Sequence, residues 1–310
     1  MSATNVQVDQ QLRLDKVVAA LSSVGSRSRA KRAITTGKVD IDGQVCHNPG
    51  IMVEAGSTVS VHMNRPGTSA ERHAGNQGLV DAGLEILFAD DHVVAVNKPP
   101  GLLTDTASLE QHRHRDSVRK RLRAWLRARG QLARVVHRID RDTSGVVLFA
   151  RTEQAEARLR RQFRERRPER VYHALVNGVV EWEQDRWVDQ TRWHKGRRIL
   201  ECVYQKTPGA VETISHVTVL RRFHGASEIE VRLTTGRRNQ IRLQAQLRGH
   251  PLVGERLYIE PGYRGLRVAE RQCLHAARLV VLHPHTNEPL TVTAPKPADW
   301  LDVVRTLQRT

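Results

Sequence analysis

Apolar residues recur along the chain in two rhythms, one of about 3.6 residues and one of two. Leu12, Leu14, Val17, Val18 and Leu21 share one helical face. A second helix is expected from Ser28, where Ala30, Ala33 and Ile34 alternate with Arg27, Arg29, Lys31 and Arg32. Gly37 stops it. Val39, Ile41, Val45 and the Thr58–Val61 stretch then alternate as strands around an Asp42-Gly43 turn. From Asn64 to Gly83 the rhythm disappears into Gly, Pro and small polar residues, the composition of a linker. The pattern predicts a small domain over 1–64, a linker over 65–83 and a larger domain over 84–310.

In the larger domain, Ile86–Phe88 and Val93–Val96 flank Ala-Asp-Asp-His as a hairpin, and Lys98-Pro99-Pro100-Gly101 ends its second strand. Val118, Leu122, Trp125 and Leu126 lie on one helical face, with Arg119, Arg121, Arg123 and Arg127 on the others. Val146–Ala150 and Tyr172–Val176 read as strands separated by a helix that turns Leu159 and Phe163 inward. Ile214–Leu220, Glu228–Leu233 and Leu290–Thr293 add strands, and Trp300, Val303, Val304 and Leu307 close the chain on a helix. Strands come in runs with helices between only some of them. That pattern predicts an α+β fold with a largely antiparallel sheet.

Charge adds a partner to this picture. Lys and Arg number 50 against 33 Asp and Glu, a formal net charge of +17. A surplus of that size attracts polyanions, and nucleic acid offers the densest line of phosphates. Arg outnumbers Lys, which suits phosphates and base edges. Charge alone leaves RNA and DNA equally open. Few aromatics argue against a broad stacking platform for single strands. No apolar run is long enough to cross a membrane and the N-terminus has no apolar signal core, so a cytoplasmic protein without a membrane partner is expected. Cys46, Cys202 and Cys273 are odd in number and widely spaced, which fits a reducing compartment rather than a disulfide framework or zinc site.

Several chemistries drop out. There is no G-x-x-x-x-G-K-[ST] loop, no G-x-G-x-x-G after a strand and no G-x-S-x-G elbow. His112 with His114, or His283 with His285, lack further ligands at metal spacing. What remains is the segment Arg134 to Gly145, RVVHRIDRDTSG, which runs directly into a strand. Asp140 is a carboxylate in a basic tract, and Asp142 is placed to cap the tight turn that follows. Taken alone, Asp140 reads more readily as neutralising its arginines in a structural ion-pair network.

The segment His137-Arg138-Ile139-Asp140-Arg141-Asp142-Thr143-Ser144-Gly145 resembles the H-R-L-D-x-x-T-S-G motif of the RluA family of pseudouridine synthases. Further matches follow in register over about 200 residues. Asn97-Lys98-Pro99-Pro100-Gly101 resembles N-K-P-x-G, and Tyr172-His173-Ala174-Leu175-Val176-Asn177-Gly178 resembles Y-x-A-L-V-x-G. Thr235-Gly236-Arg237-Arg238-Asn239-Gln240-Ile241-Arg242 resembles T-G-R-x-H-Q-I-R, and Gly249-His250-Pro251-Leu252-Val253-Gly254 resembles G-H-P-I-x-G. Leu274-His275-Ala276 and, after an apolar stretch, His283-Pro284 complete the series. The basic N-terminal unit, with Arg13-Leu14-Asp15, Ser26-Arg27-Ser28-Arg29, Gly37-Lys38-Val39 and Asp42-Gly43, is similar to the S4 RNA-binding domain. The chain departs from the family at Arg238-Asn239, where Thr or Lys before His is commoner. Glu255 stands where Asp is usual, and Asp105-Thr106 where His or Pro often occurs.

The resemblance implies a pseudouridine synthase catalytic domain behind an S4-like domain. It also implies isomerisation of uridine in structured RNA: N1–C1′ breaks, uracil turns, and C5 joins C1′. Asp140 carries over as the essential carboxylate, either attacking C1′ or removing the 2′ proton. Tyr172 carries over as the ring that packs on uracil, and Arg242 as the candidate counter-charge of Asp140. Arg138 is expected to fill the space the flipped base leaves. Arg141, the Arg119–Arg129 helix face and Arg27, Arg29, Lys31, Arg32 and Lys38 are expected to meet RNA phosphates. Ribosomal RNA of the large subunit is the expected target, with transfer RNA second, for a monomer that uses no metal and no cofactor. An RNA-binding assembly factor without activity is the rival from another class. A glycosidase using Asp140 and Asp142 is disfavoured by the basic surround. Ile241 to Leu247 alternates like a strand, yet its residue types and the Gly249 stop favour a helix, which is also what the family has.

Overall fold

The computed structural model describes residues 4–22, 24–35, 37–62, 80–81, 83–106, 116–127 and 132–309. These fall into two compact units, one within Met1–Asn76 and one within Gln77–Thr310. In the first, helices Leu14–Ala19 and Arg27–Thr35 pack on a four-stranded antiparallel sheet of Thr4–Gln7, Thr58–Val61, Val39–Ile41 and Gln44–Val45. Leu14, Val18, Ala30, Ile34, Val39 and Val59 form its core, so the apolar face of each basic helix is spent inward. Arg29, Lys31 and Arg32 point outward from the second helix. Asp42 and Gly43 both take positive φ in the expected turn. Arg27 pairs with the buried Asp15 at 3.2 Å, beside Arg13, and so also serves the local fold, while more than half of its side chain stays exposed.

The second unit is built on one twelve-stranded sheet. Its pairs are antiparallel except one: Ser144–Ala150 runs parallel to Leu274–Leu282, at Ser144 opposite His275 and Gly145 opposite Ala276. The sheet is therefore mixed and largely antiparallel, and with its helices the fold is α+β. Glu169–Asn177 flanks Leu274–Leu282 on the other side, with Tyr172 also opposite Ala276. Strand Ser144–Ala150 is buried throughout and pairs outward with Val93–Lys98. Helix Gln240–Leu247 forms as expected, with Ile241 and Ala245 packed against Ala174, Trp187 and Val231.

Several details differ from the sequence reading. Leu12, placed by its rhythm on the first helix, instead pairs as a short strand with Val53, and Leu21 lies past that helix's end. The expected linker lies mostly outside the described residues, but Val80–Asp81 within it pairs as a short strand with Leu84 and Glu85. Gln184–His194 and Ile199–Cys202, which the hydrophobic rhythm did not mark, form a hairpin at the far edge of the sheet. On the helix Val118–Arg127, Arg119 pairs with Asp105 at 3.4 Å and Arg121 with Asp116 at 2.6 Å, while Arg123 and Arg127 are exposed.

Candidate active site

Sheet register decides where the chemistry sits. Because Gly145 and Tyr172 both lie opposite Ala276 from neighbouring strands, their backbones stand two strand spacings apart, roughly 10 Å. The turn carrying Asp140 precedes Gly145 at the same end of the sheet. The register shift beside Tyr172 leaves the extra residue, Ala277, on the facing strand, so Glu169–Asn177 keeps its regular alternation. Gly145 has φ +111°, and a β-carbon on it would overlap the Ala276 carbonyl. The close parallel pairing thus explains the glycine.

The backbone around Asp140 is pinned carbonyl by carbonyl. Thr104 Oγ1 donates to Ile139 O at 2.9 Å, and the Thr143 N–H donates to Asp140 O at 3.2 Å. Lys98 Nζ donates to Arg141 O at 2.7 Å, and Arg271 donates to Asp142 O at 3.0 Å. Lys98 is fully buried and also donates to Pro99 O and Leu102 O at 2.8 Å each. Three carbonyl acceptors call for three N–H donors, which only the ammonium form has. Burial opposes that charge and pulls the Lys98 pKa down to about 7. The turn-capping role expected of Asp142 is corrected: among the described residues its carboxylate is held by Arg141 at 3.0 Å through both oxygens. The Asp140 carbonyl closes the turn instead.

A cavity of about 490 Å³ opens over this turn, within the range common for small-ligand sites. Asp140 and Tyr172 both line it, with Ile139, Leu233 and Ile241 among its apolar wall and Arg138 and Arg238 among its basic one. Asp140 is half-buried, and among the described residues no side chain bonds or pairs with its carboxylate. Burial pushes its pKa up, while Arg242 first, then Arg238, Arg138 and Lys98, pull it back down. Burial likewise raises the Tyr172 pKa, so its phenol stays protonated at neutral pH. The Thr143 hydroxyl in the same wall is buried and without a partner. The arrangement supplies one unpaired acid, a flat ring and an excess of positive charge.

Arg242 is placed differently from its expected position. It does not touch Asp140; its guanidinium is clamped by Glu255 at 2.6 and 2.7 Å, and Nη1 donates to Asn239 Oδ1 at 3.3 Å. Glu255, its carboxylate fully enclosed, also accepts the N–H groups of Arg256, Leu257 and Tyr258. The ring of Tyr258 lies under the guanidinium at 5.3 Å. Arg242 therefore acts on Asp140 through space, from a fixed seat. Asn239 has φ +59°, a conformation asparagine tolerates better than most side chains.

The residues 92–247 match the RNA pseudouridylate synthase family and 12–59 match the S4 domain. A large-subunit pseudouridine synthase D of Xanthomonas campestris is 35% identical over 306 residues, 93% of this chain and 86% of that one. The chain belongs to the RNA pseudouridylate synthase family. Another family member, the dual-specificity RNA pseudouridine synthase RluA of Pasteurella multocida, is 35% identical over 219 residues, 69% of this chain and 94% of its own. A solved structure, human RNA pseudouridylate synthase domain containing 1, shares the fold at a TM-score of 0.57 and 23% identity. The likeness covers 75% of this chain and 97% of that one. The protein is thus an RNA pseudouridine synthase, an isomerase, with an S4 RNA-binding domain.

The fold of this synthase brings Asp140, Tyr172 and Arg138 to one cavity and sets Arg242 behind it. Arg141 is exposed but occupied by Asp142. Lys38 is half-buried in the first unit. His112 and His114 lie outside the described residues, while His283 donates to Asp90 at 2.8 Å. Sequence reasoning missed the supports: Lys98, Thr104 and Arg271 under the turn, and Glu255 as the seat of Arg242. His275 is one more: it accepts from Ser144 Oγ at 3.0 Å and donates to Ala294 O, with burial lowering its pKa to about 4. Lys98 and His275 lie in motifs and Glu255 directly follows one, while Thr104 and Arg271 lie outside them; a motif shows only residue type, and the partner is a carbonyl or side chain supplied by the fold.

Proposed function

We propose that this synthase converts uridine to pseudouridine in large-subunit ribosomal RNA, with Asp140 as its catalytic carboxylate. The observation that carries the reading is an unpaired carboxylate facing a tyrosine ring across a cavity rich in arginine. Asp140 must be ionised to attack C1′ or to take the 2′ proton. The field of Arg242, Arg238 and Arg138 opposes, in part, the burial that favours its neutral form. Tyr172 stacks on the uracil as N1–C1′ breaks and C5–C1′ forms, C5 losing its proton and N1 gaining one. Arg138, exposed at the cavity wall, fills the stack that the everted base leaves. The enzyme works as a monomer on its own side chains, without metal or organic cofactor. The N-terminal unit grips RNA through Arg29, Lys31, Arg32 and Lys38, and residues 65–83 join it to the catalytic domain.

The ribosomal target is favoured over transfer RNA by the relatives. The large-subunit enzyme of Xanthomonas aligns over 93% of this chain, the dual-specificity one over 69%. Mapping pseudouridine across total RNA with and without the gene tests it. Loss of one or more sites in large-subunit RNA is expected; loss confined to transfer RNA would overturn the assignment.

A further inference from the structure

Uracil and ribose are uncharged, so a pocket for the nucleoside alone needs one compensating cation for Asp140. Six arginines line this one: Arg138, Arg164, Arg166, Arg170, Arg237 and Arg238, with Asp140 as the single carboxylate among the lining residues. Five of the six are exposed. Arg170 alone is half-buried, and its surroundings are unusual for a sunken charge. Among the described residues no carboxylate pairs with it, and its neighbour Glu169 is taken by Arg278. Its Nε–H is buried without an acceptor. Nη2 reaches only the carbonyls of Leu233 and Thr234, both at a long 3.4 Å.

The fold nevertheless makes room for this group. A β-carbon at Gly236 would overlap Arg170 Nη1, so the glycine in the Thr235-Gly236 turn is what lets that end of the guanidinium approach the backbone. Arg170 also sits two residues before Tyr172 on the same strand, which puts both side chains on one face. Arg166, just past helix Glu153–Arg164, lines the same cavity close enough to repel it. A sunken cation with an unused donor and a like charge beside it is costly unless an anion joins them. A guanidinium fork matches phosphate oxygens two at a time.

We propose that Arg170, with Arg166, forms a phosphate subsite that seats an RNA phosphodiester flanking the target uridine and so fixes the everted nucleotide against Tyr172. The proposal rests on the reading of this cavity as the uridine site. An everted nucleotide carries its own 5′ and 3′ phosphates to the pocket mouth, so the ligand arrives with the base.

The test uses full-length enzyme and RNA labelled with 5-tritiated uridine from cells lacking the gene, which holds the natural target unmodified. Tritium release is followed across salt for wild type, Arg170→Gln and Arg170→Lys, with Arg232→Gln, outside the cavity, as control. Arg170→Gln should raise KM roughly tenfold with kcat within about threefold. It should also make log kcat/KM about one unit shallower against log salt. Arg170→Lys should restore most of the slope, because charge survives while the fork is lost. Thermal melting identifies a folding defect, and the lysine variant then carries the comparison. An unchanged KM and slope, or a loss confined to kcat, would overturn the subsite. Fractionating the RNA shows separately whether ribosomal RNA is the target, so that assignment can fail while the subsite stands.

Discussion

The pair Arg242–Glu255 gives the sharpest test of how the site is energised. Arg242→Met would leave the Glu255 carboxylate enclosed, with no exposure of its own and no cation beside it. Orphaning one partner of a buried pair costs about 3–5 kcal/mol. For a domain of this size that lowers Tm on the order of 10 °C. Adding Glu255→Gln removes the stranded charge, while the amide oxygen can still accept from Arg256, Leu257 and Tyr258. The double variant should therefore regain about 2 kcal/mol or more over Arg242→Met alone.

Activity should not return with stability. Arg242 is the largest of the charges that hold Asp140 ionised against its burial. Without it the acid limb of kcat/KM, which reports the free enzyme, should move to higher pH. We expect turnover at least about tenfold lower at neutral pH, equivalent to about 1.4 kcal/mol. Urea unfolding and tritium release over pH 5–9 measure the two effects. Strictly additive stability changes would show that the pair is uncoupled. A double variant with full turnover and an unmoved acid limb would make Arg242 structural only.

Asp140→Asn should abolish tritium release with RNA affinity nearly intact, and retained release would defeat the assignment. It should also raise Tm at pH 7. The folded pKa of Asp140 lies above its unfolded value, so the folded state holds the extra proton and stability falls as pH rises through that window. The gain should vanish below the unfolded pKa, where both states are protonated. Removing residues 1–64 should weaken RNA binding and flatten its salt dependence, measured by filter binding; an unchanged slope would mean that the N-terminal unit does not grip RNA.

Sequence by itself determined most of the element types, since a residue's rhythm depends on near neighbours along the chain, but it left the edge hairpin of Gln184–His194 and Ile199–Cys202 unmarked. It also marked Asp140 and Tyr172, whose motifs are short and contiguous. Helix Gln240–Leu247 shows the limit: its period looked like a strand because Ile241, Leu243 and Ala245 face packing on more than one side. Tertiary structure decided what the charges do. Arg242 reads as the partner of Asp140 until Glu255, thirteen residues on, is found holding it. Lys98 reads as a strand end until its ammonium reaches Arg141 O, forty-three residues away. Arg27 and Arg170 carry the same charge in the same basic chain, yet one has a buried aspartate and the other has none. Pairing depends on distances of a few ångströms between segments far apart in sequence, and composition carries no information about those.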